Sequence, residues 1–475
     1  MIWTPLSPST IRQGNNRNNK KNLQSGKGII ETIKKKNKKL NYLSLTLFCD
    51  TMENLLIMGV NTRPMVNSAL KLNYKTFSVS YFKTYDFNNP FKEKHILDQE
   101  SIDSCGFFEN NYSPQKLLEL SREFLYPKSS KDEISDNFGE MDKIVLITGI
   151  HASDFKGEFS GFKNRIRGNL KTEDVDDKFK FYRKLRNKVD VPLTFKLNDV
   201  DELKDILKQY PNNQFILKPL KGNGGLGIFI INYDSLNELN DMKNIIENIS
   251  TEDYILQEYI EGTCVSSSVL ASHDERINLF NSRLISERDL GNESFAYSGN
   301  IVPLDKESFL KFNSNYIDGK RDKSMDIDSL NKKMNEESEK LIKEFKLIGS
   351  NGVDFILDEN NDLKVIEINP RLQGTYELCE ECMDINLLDA HIRACEGELI
   401  DVPNIDRYAV KKIIYAKKQI RIGNLSIKNV FDVPYEGVKI ESNQPLVTLI
   451  SSNENLDKSV GEIAVAEEEV YKNIE

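Results

Sequence analysis

The stretch VDFILDENNDLKVIEINPR, Val353 to Arg371, constrains the fold of this chain more than any other. Two apolar runs rich in β-branched residues flank Glu359-Asn360-Asn361-Asp362, a segment of turn formers, so the spacing predicts a β-hairpin. Closing the loop between Asp358 and Leu363 places Ile356 opposite Val365 and Asp354 opposite Glu367, with Asn369 two residues further along the same face. Like charges directly opposite on a strand pair are destabilising. The arrangement therefore requires something positive between the two carboxylates, or a proton on one of them.

At 475 residues the chain is too long for one core, and at roughly 150 residues per domain about three are expected. Residues 1–51 carry ten Lys/Arg against two acids, Glu31 and Asp50, in tracts such as QGNNRNNKKN and KKKNKK. They are expected to be a disordered basic extension, with the folded chain starting at Met52. The formal charge of -10 argues against a general nucleic-acid or anionic-membrane binder. No apolar run approaches the roughly 18 residues of a membrane span. Six cysteines without framework spacing point to reduced thiols in a cytoplasm. Cys379-x-x-Cys382, with His391 and Cys395 downstream, fits either a metal site or one helix face.

The expected class is α/β with α+β character. Residues 52–165 read as a small Rossmann-like parallel-sheet domain: strand Leu55–Val60, a helix begun by Pro64, strand Thr76–Phe82, a helix from Ser113-Pro114 and strand Ile144–Ile150. Arg63, at a helix start beside a strand end, is a candidate for holding a carboxylate, the alternative being a surface arginine. Residues 166–400 hold helices near Asp177-Lys178 and from Asn198, several strands, and an amphipathic helix through Leu330, Met334, Leu341 and Phe345 closed by Gly349. Residues 401–475 read as a small α/β module of short strands and a helix from about Ser459.

KPLKGNGGLGI contains Gly222-x-Gly224-x-x-Gly227, but the dinucleotide fingerprint needs a helix next, and Ile-Phe-Ile-Ile follows. No Lys-Ser/Thr pair ends the loop, which removes the Walker A reading. What remains is a glycine loop, Gly225 included, joining two antiparallel strands. Such a loop can turn several N–H groups toward a phosphate, and Lys218 at its start adds a positive charge.

Taken in order, Asp177-Lys178, FILKPLKGNGGLGI, ILQEYIEG, GVDFILD and VIEINPR resemble the ATP-grasp superfamily over about residues 170–400. The earlier NLLIMGVNTRPMVNSALKLNYKTFSVSYF and the YSGNIVP at Tyr297–Pro303 look like the predicted carboxylate–amine ligases, or carboligases, within it. The resemblance implies an ATP-grasp fold behind a pre-ATP-grasp domain, with ATP and Mg²⁺ bound and Mn²⁺ as the alternative metal. It puts Lys218 and Lys178 on the α- and β-phosphates, with Lys180 competing for the second place, under the loop of Gly222, Gly224, Gly225 and Gly227. It puts Gln257 or Glu258 near the adenine amine, the Ile260 backbone beside the base and Glu261 at the ribose hydroxyls.

Asp354, Glu367 and Asn369 match the metal ligands, so a cation between the acids would turn their repulsion into affinity. Arg371, with Lys218, matches the catalytic pair, the arginine holding the transferring phosphoryl group. The implied activity is ATP-dependent joining of a small-molecule carboxylate to an amine through an acylphosphate, releasing ADP and phosphate. No nucleic-acid or membrane partner is expected, and a homo-oligomer is left open. The alternatives are a small-molecule kinase on the same fold and a non-catalytic ATP-binding regulator. A regulator typically loses one of the four hairpin residues, and all four are present.

Overall fold

Strands with uninterrupted apolar runs need cover on both faces, and the first one, β1 (Glu53–Gly59), has Leu55 to Met58 fully buried. In the computed structural model it pairs in parallel with β2 (Tyr74–Lys83) and β4 (Lys143–Leu146), and β2 pairs in parallel with β3 (Lys92–Asp98). The order is β3-β2-β1-β4. The structure describes residues 52–89, 91–127, 140–220, 222, 224–225, 227–234, 254–311 and 326–474; the expected disorder of residues 1–51 lies outside them. Residues 53–475 group as one compact unit.

The helix Arg63–Ala69 carries Pro64 in its first turn, and Pro114–Leu125 is capped by Ser113, whose hydroxyl accepts from the Lys116 N–H. β3 was not foreseen, because KEKHILD is only half-buried and lacks an apolar run. β4 also ends sooner than expected, at Leu146; a turn then leads to the short helix Ala152–Asp154.

A second, antiparallel sheet follows: β5 (Thr194–Leu197), β6 (Phe215–Pro219), β7 (Phe229–Ile231) and β8 (Tyr254–Glu258), in the order β5-β8-β6-β7. The helix Val200–Gln209, capped by Asp199, buries Leu203, Ile206 and Leu207 against Phe215, Leu217 and Leu256. The glycine loop joins β6 to β7, antiparallel strands as its flanking residues required.

The largest sheet is antiparallel throughout. It comprises β9 (Gly262–Ala271), β10 (Arg276–Ser286), β11 (Tyr297–Val302), β12 (Gly349–Asp358), β13 (Leu363–Asn369), β14 (Tyr408–Tyr415), β16 (Val430–Phe431) and β18 (Pro445–Asn453). The order is β13-β12-β9-β10-β11-β14-β18-β16, while β15 (Ile420–Arg421) and β17 (Lys439–Ile440) pair separately. β14 and β18 are longer than the short strands expected there, and through β11 they belong to the same sheet as the acidic hairpin.

The helix Ile327–Phe345 buries Leu330, Met334, Leu341 and Phe345 with Val353 and Phe355 of β12. Contrary to expectation it is closed by Lys346, in the left-handed region at φ 54°, and not by Gly349. Gly349 opens β12 instead, at φ 69°, where a Cβ would lie 2.6 Å from the His391 ring.

The hairpin register is partly corrected. Leu357 pairs with Leu363, Ile356 with Lys364 and Phe355 with Val365, so Ile356 does not face Val365. Ile366 is an extra residue, and this bulge restores the expected pairing of Asp354 with Glu367.

Cys379 and Cys382 lie buried on the helix Tyr376–Met383, in a core shared with Leu55, Ile57 and Val66 of the N-terminal elements. Cys379 Sγ rests on Met383 Sδ, and Cys382 Sγ donates to the Arg407 carbonyl. His391 Nδ1 accepts from the Ser350 N–H and its Nε2 meets the Arg167 carbonyl; burial pushes this imidazole down to about 4. These placements are those of a helix face packed into a core. No helix among the described residues is long and apolar enough to cross a membrane.

Candidate active site

The strand period, shifted by the bulge at Ile366, puts Asp354, Glu367 and Asn369 on one face of the large sheet, opposite the face that buries Phe355, Val365 and Ile368. Asn369 Nδ2 donates to Asp354 Oδ2 at 2.8 Å and lies 3.5 Å from Glu367 Oε1. Ser266 Oγ, opposite Asp354 on β9, donates to Asp354 Oδ1 at 2.6 Å. Burial, and after it the charge of Glu367, pushes the Asp354 carboxyl well above the ordinary carboxylate range. Arg371 Nη2 donates to Asn369 Oδ1 at 2.9 Å, and burial lowers its guanidinium against the opposing pull of Glu367 and Asp354.

Ser266 was missed in the sequence. Its signal was Ser266-Ser267-Ser268 inside an otherwise apolar strand, a polar stripe that only the sheet order places beside Asp354. Gln373 was missed as well. Its side chain lies over Gly352, where a Cβ would stand 1.1 Å from Nε2, and that buried Nε2 has no hydrogen-bond partner among the described residues.

Lys218 is 4% exposed at the end of β6, and its Nζ donates to Gln257 Oε1 at 2.8 Å. Gln257 Nε2 in turn donates to Thr194 Oγ1 at 2.9 Å, so both ends of this amide are engaged within the small sheet. Burial, and then the charge of Lys178, pushes the Lys218 ammonium down to about 8, while Glu367 acts in the other direction.

Lys178 starts the helix Lys178–Leu185, whose cap Asp177 accepts from the N–H groups of Phe179 and Lys180. Its Nζ donates to the Gly222 carbonyl at 2.8 Å, whereas Lys180 is exposed. Gly224, Gly225 and Gly227 have φ of 70°, 75° and 69°. Gly225 is also pressed against the backbone, a Cβ there standing 2.0 Å from the Phe295 carbonyl oxygen, so no other residue fits. On the connection to β9, Glu258 Oε2 accepts from the Leu193 N–H at 3.2 Å, Ile260 is half-buried and Glu261 is exposed.

Arg63 is placed differently from the sequence expectation. It is 2% exposed and binds three carboxylates of its own chain, Asp432 at 2.7 Å, Glu377 at 2.8 Å and Asp86 at 3.4 Å. Burial alone would raise the Asp432 carboxyl, but Arg63 outweighs it and holds that group down, to about 2.

A glycine loop on a small antiparallel sheet, facing a carboxylate hairpin on a larger one behind a parallel N-terminal sheet, defines the ATP-grasp fold. Residues 175–318 and 306–375 match the family model of the ATP-grasp domain. Biotin carboxylase from Campylobacter jejuni superposes with a TM-score of 0.64 at 15% identity, over 89% of this chain and 92% of that one. N5-carboxyaminoimidazole synthetase from Staphylococcus aureus does so with 0.57 at 15%, over 88% and 97%. The biotin carboxylase domain of Hydrogenobacter thermophilus 2-oxoglutarate carboxylase, solved with MgADP and bicarbonate, gives 0.62 at 17%, over 88% and 89%. In sequence, an uncharacterized protein of Methanocaldococcus jannaschii is 28% identical over 411 residues, 86% of this chain and 90% of its own length.

Proposed function

We propose that this chain is an ADP-forming ligase that activates a small-molecule carboxylate with ATP and joins it to an amine. The observation that carries the reading is the register of Asp354 against Glu367, with Asn369 between them and Arg371 fixed on Asn369. The oxygen set of two carboxylates, the Asn369 amide and the Ser266 hydroxyl suits a hard divalent cation, Mg²⁺ or Mn²⁺. When bound, that ion neutralises charge on the nucleotide phosphates. Lys218, Lys178 and the glycine loop take the phosphates, and the stretch from Gln257 to Glu261 takes the adenosine.

The reaction follows from positioning and charge neutralisation, with no protein nucleophile. The substrate carboxylate oxygen attacks the γ-phosphorus, ADP leaves, and Arg371 stabilises the charge on the phosphoryl oxygens. Gln373 Nε2, a buried donor without a partner among the described residues, is suited to hold the carboxylate in line. The amine nitrogen then attacks the acyl carbon, inorganic phosphate leaves, and the amine proton passes to solvent.

The test uses a panel of small acids with Mg·ATP, without an amine and with hydroxylamine present. The acid that supports turnover should yield ADP and a hydroxamate in equal amounts. ADP formed with no trappable acyl species from any acid, but with a stable phosphorylated product, would make the protein a kinase.

A further inference from the structure

The motif Tyr297-Ser298-Gly299-Asn300-Ile301-Val302-Pro303 has no part in the roles above, yet its first residue touches both halves of the site. On one side, the Tyr297 N–H donates to the Gly224 carbonyl at 3.0 Å, and the adjoining Phe295 carbonyl is the surface on which Gly225 rests. The glycine loop is therefore seated on residues 295–297. On the other side, the Tyr297 ring lies against Gly374, three residues beyond Arg371: a Cβ on Gly374 would stand 2.7 Å from the phenol oxygen and 3.1 Å from Cζ. Lys411 Nζ donates to the Gly374 carbonyl at 3.1 Å, so this loop is held from two directions.

Tyr297 is itself fixed. Its phenol donates to Asn300 Oδ1 at 2.5 Å, and Asn300 Nδ2 donates to Ser282 Oγ at 3.0 Å. Ser282 Oγ donates to the carbonyl of Ser266, whose own hydroxyl holds Asp354. The Tyr415 hydroxyl donates to the Tyr297 carbonyl at 2.9 Å. One tyrosine thus joins the phosphate loop, the metal-ligand face and the arginine loop through hydrogen bonds and one van der Waals contact.

We infer that Tyr297 is a positioning residue that sets the spacing between the glycine loop and the Arg371 loop, so that a γ-phosphoryl group is gripped from both sides. The inference rests on the ligase reading for the roles of these two loops. The α- and β-phosphates need only the glycine loop and its lysines, whereas the γ-phosphoryl group must meet Arg371 as well. Displacing one loop relative to the other should therefore cost affinity for the triphosphate and spare the diphosphate, because preorganised donors act only at their set positions.

The experiment measures calorimetric binding of Mg·ADP and of magnesium β,γ-imido-ATP to the full chain. Gly374→Ala drives a methyl group into the Tyr297 phenol oxygen and should lower the preference for the imido triphosphate by about tenfold, with Mg·ADP affinity unchanged. Adding Tyr297→Phe to that variant removes the oxygen it collides with and should restore most of the preference. Tyr297→Leu, which takes the ring from under Gly374 without adding bulk, should reproduce the loss without Gly374→Ala.

A merely structural role would weaken both nucleotides alike and would not be rescued by Tyr297→Phe. An unchanged preference in Gly374→Ala and Tyr297→Leu, an equal loss for both nucleotides, or a double variant no better than Gly374→Ala overturns the inference alone. A wild-type chain that binds neither nucleotide overturns the ligase reading with it.

Discussion

Asp354 stands directly opposite Glu367 although the turn joining their strands closes one residue out of phase with that pairing. Leu357 opposite Leu363 would carry Asp354 to the position of Ile366, and the carboxylates would fall on opposite faces. Leaving Ile366 unpaired shifts the ladder by one residue and brings both acids to the same face, beside Asn369.

The pairing predicts how metal-free stability depends on pH. Burial and Glu367 push the Asp354 carboxyl up to about 7, so the folded protein keeps a proton that the unfolded chain has lost. Stability from this group is therefore lost as pH rises from about 4 to about 7, by at most about 1.4 kcal/mol per pH unit. Asp354→Asn should flatten that slope and abolish Mg·ATP turnover while leaving the metal-free fold at least as stable near neutral pH. Urea unfolding without divalent metal, at mildly acidic and mildly alkaline pH, checks this; an undiminished slope in the variant rules it out.

Lys218 predicts a pH dependence of nucleotide binding. Its ammonium is pushed down to about 8, so its charge is present at neutral pH and is lost as pH rises through that value. Affinity for Mg·ADP should decline above about pH 8, and Lys218→Met should bind on the order of tenfold or more weakly at neutral pH, with little further change on raising it. Titration calorimetry across the window decides the matter. A Lys218→Met profile parallel to that of the parent would assign the dependence elsewhere.

Arg371→Lys should act on turnover more than on binding. A lysine keeps the charge but not the planar fork, so kcat should fall by on the order of a hundredfold, with the dissociation constant for Mg·ADP little changed. Single-turnover formation of the hydroxamate is the measurement. A variant with a raised KM for ATP and normal kcat would show that Arg371 only binds nucleotide.

Arg63→Met should be costly without touching the nucleotide. It leaves Asp432, Asp86 and Glu377 facing one another with Lys411, on Glu377, as the nearby cation. Breaking such a buried cluster by removing one partner costs about 3–5 kcal/mol. Thermal unfolding should show a large drop in Tm, and Mg·ADP affinity measured at low temperature should be nearly normal. A small change in Tm together with loss of acid-dependent turnover would return Arg63 to the substrate.

Local pattern carried much of this protein. The β-rich run after Gly227 made the glycine loop a strand connection, and strand alternation put Glu367 and Asn369 on one face of their strand, because side-chain direction in a strand is fixed by the neighbouring residues alone. The order of short motifs did the same for the ATP-grasp fold. Tertiary structure decided what depends on partners distant in sequence. Arg63 is bound to acids 23, 314 and 369 residues away, so nothing near it in the chain reveals that its charge is already matched. Ser266, Gln373 and Tyr297 gain their places from the order of strands in the large sheet and from loop packing across it, and the bulge at Ile366 is a compromise between turn geometry and pairing. Such contacts are set by which surfaces meet after folding, and periodicity along a single chain does not encode them.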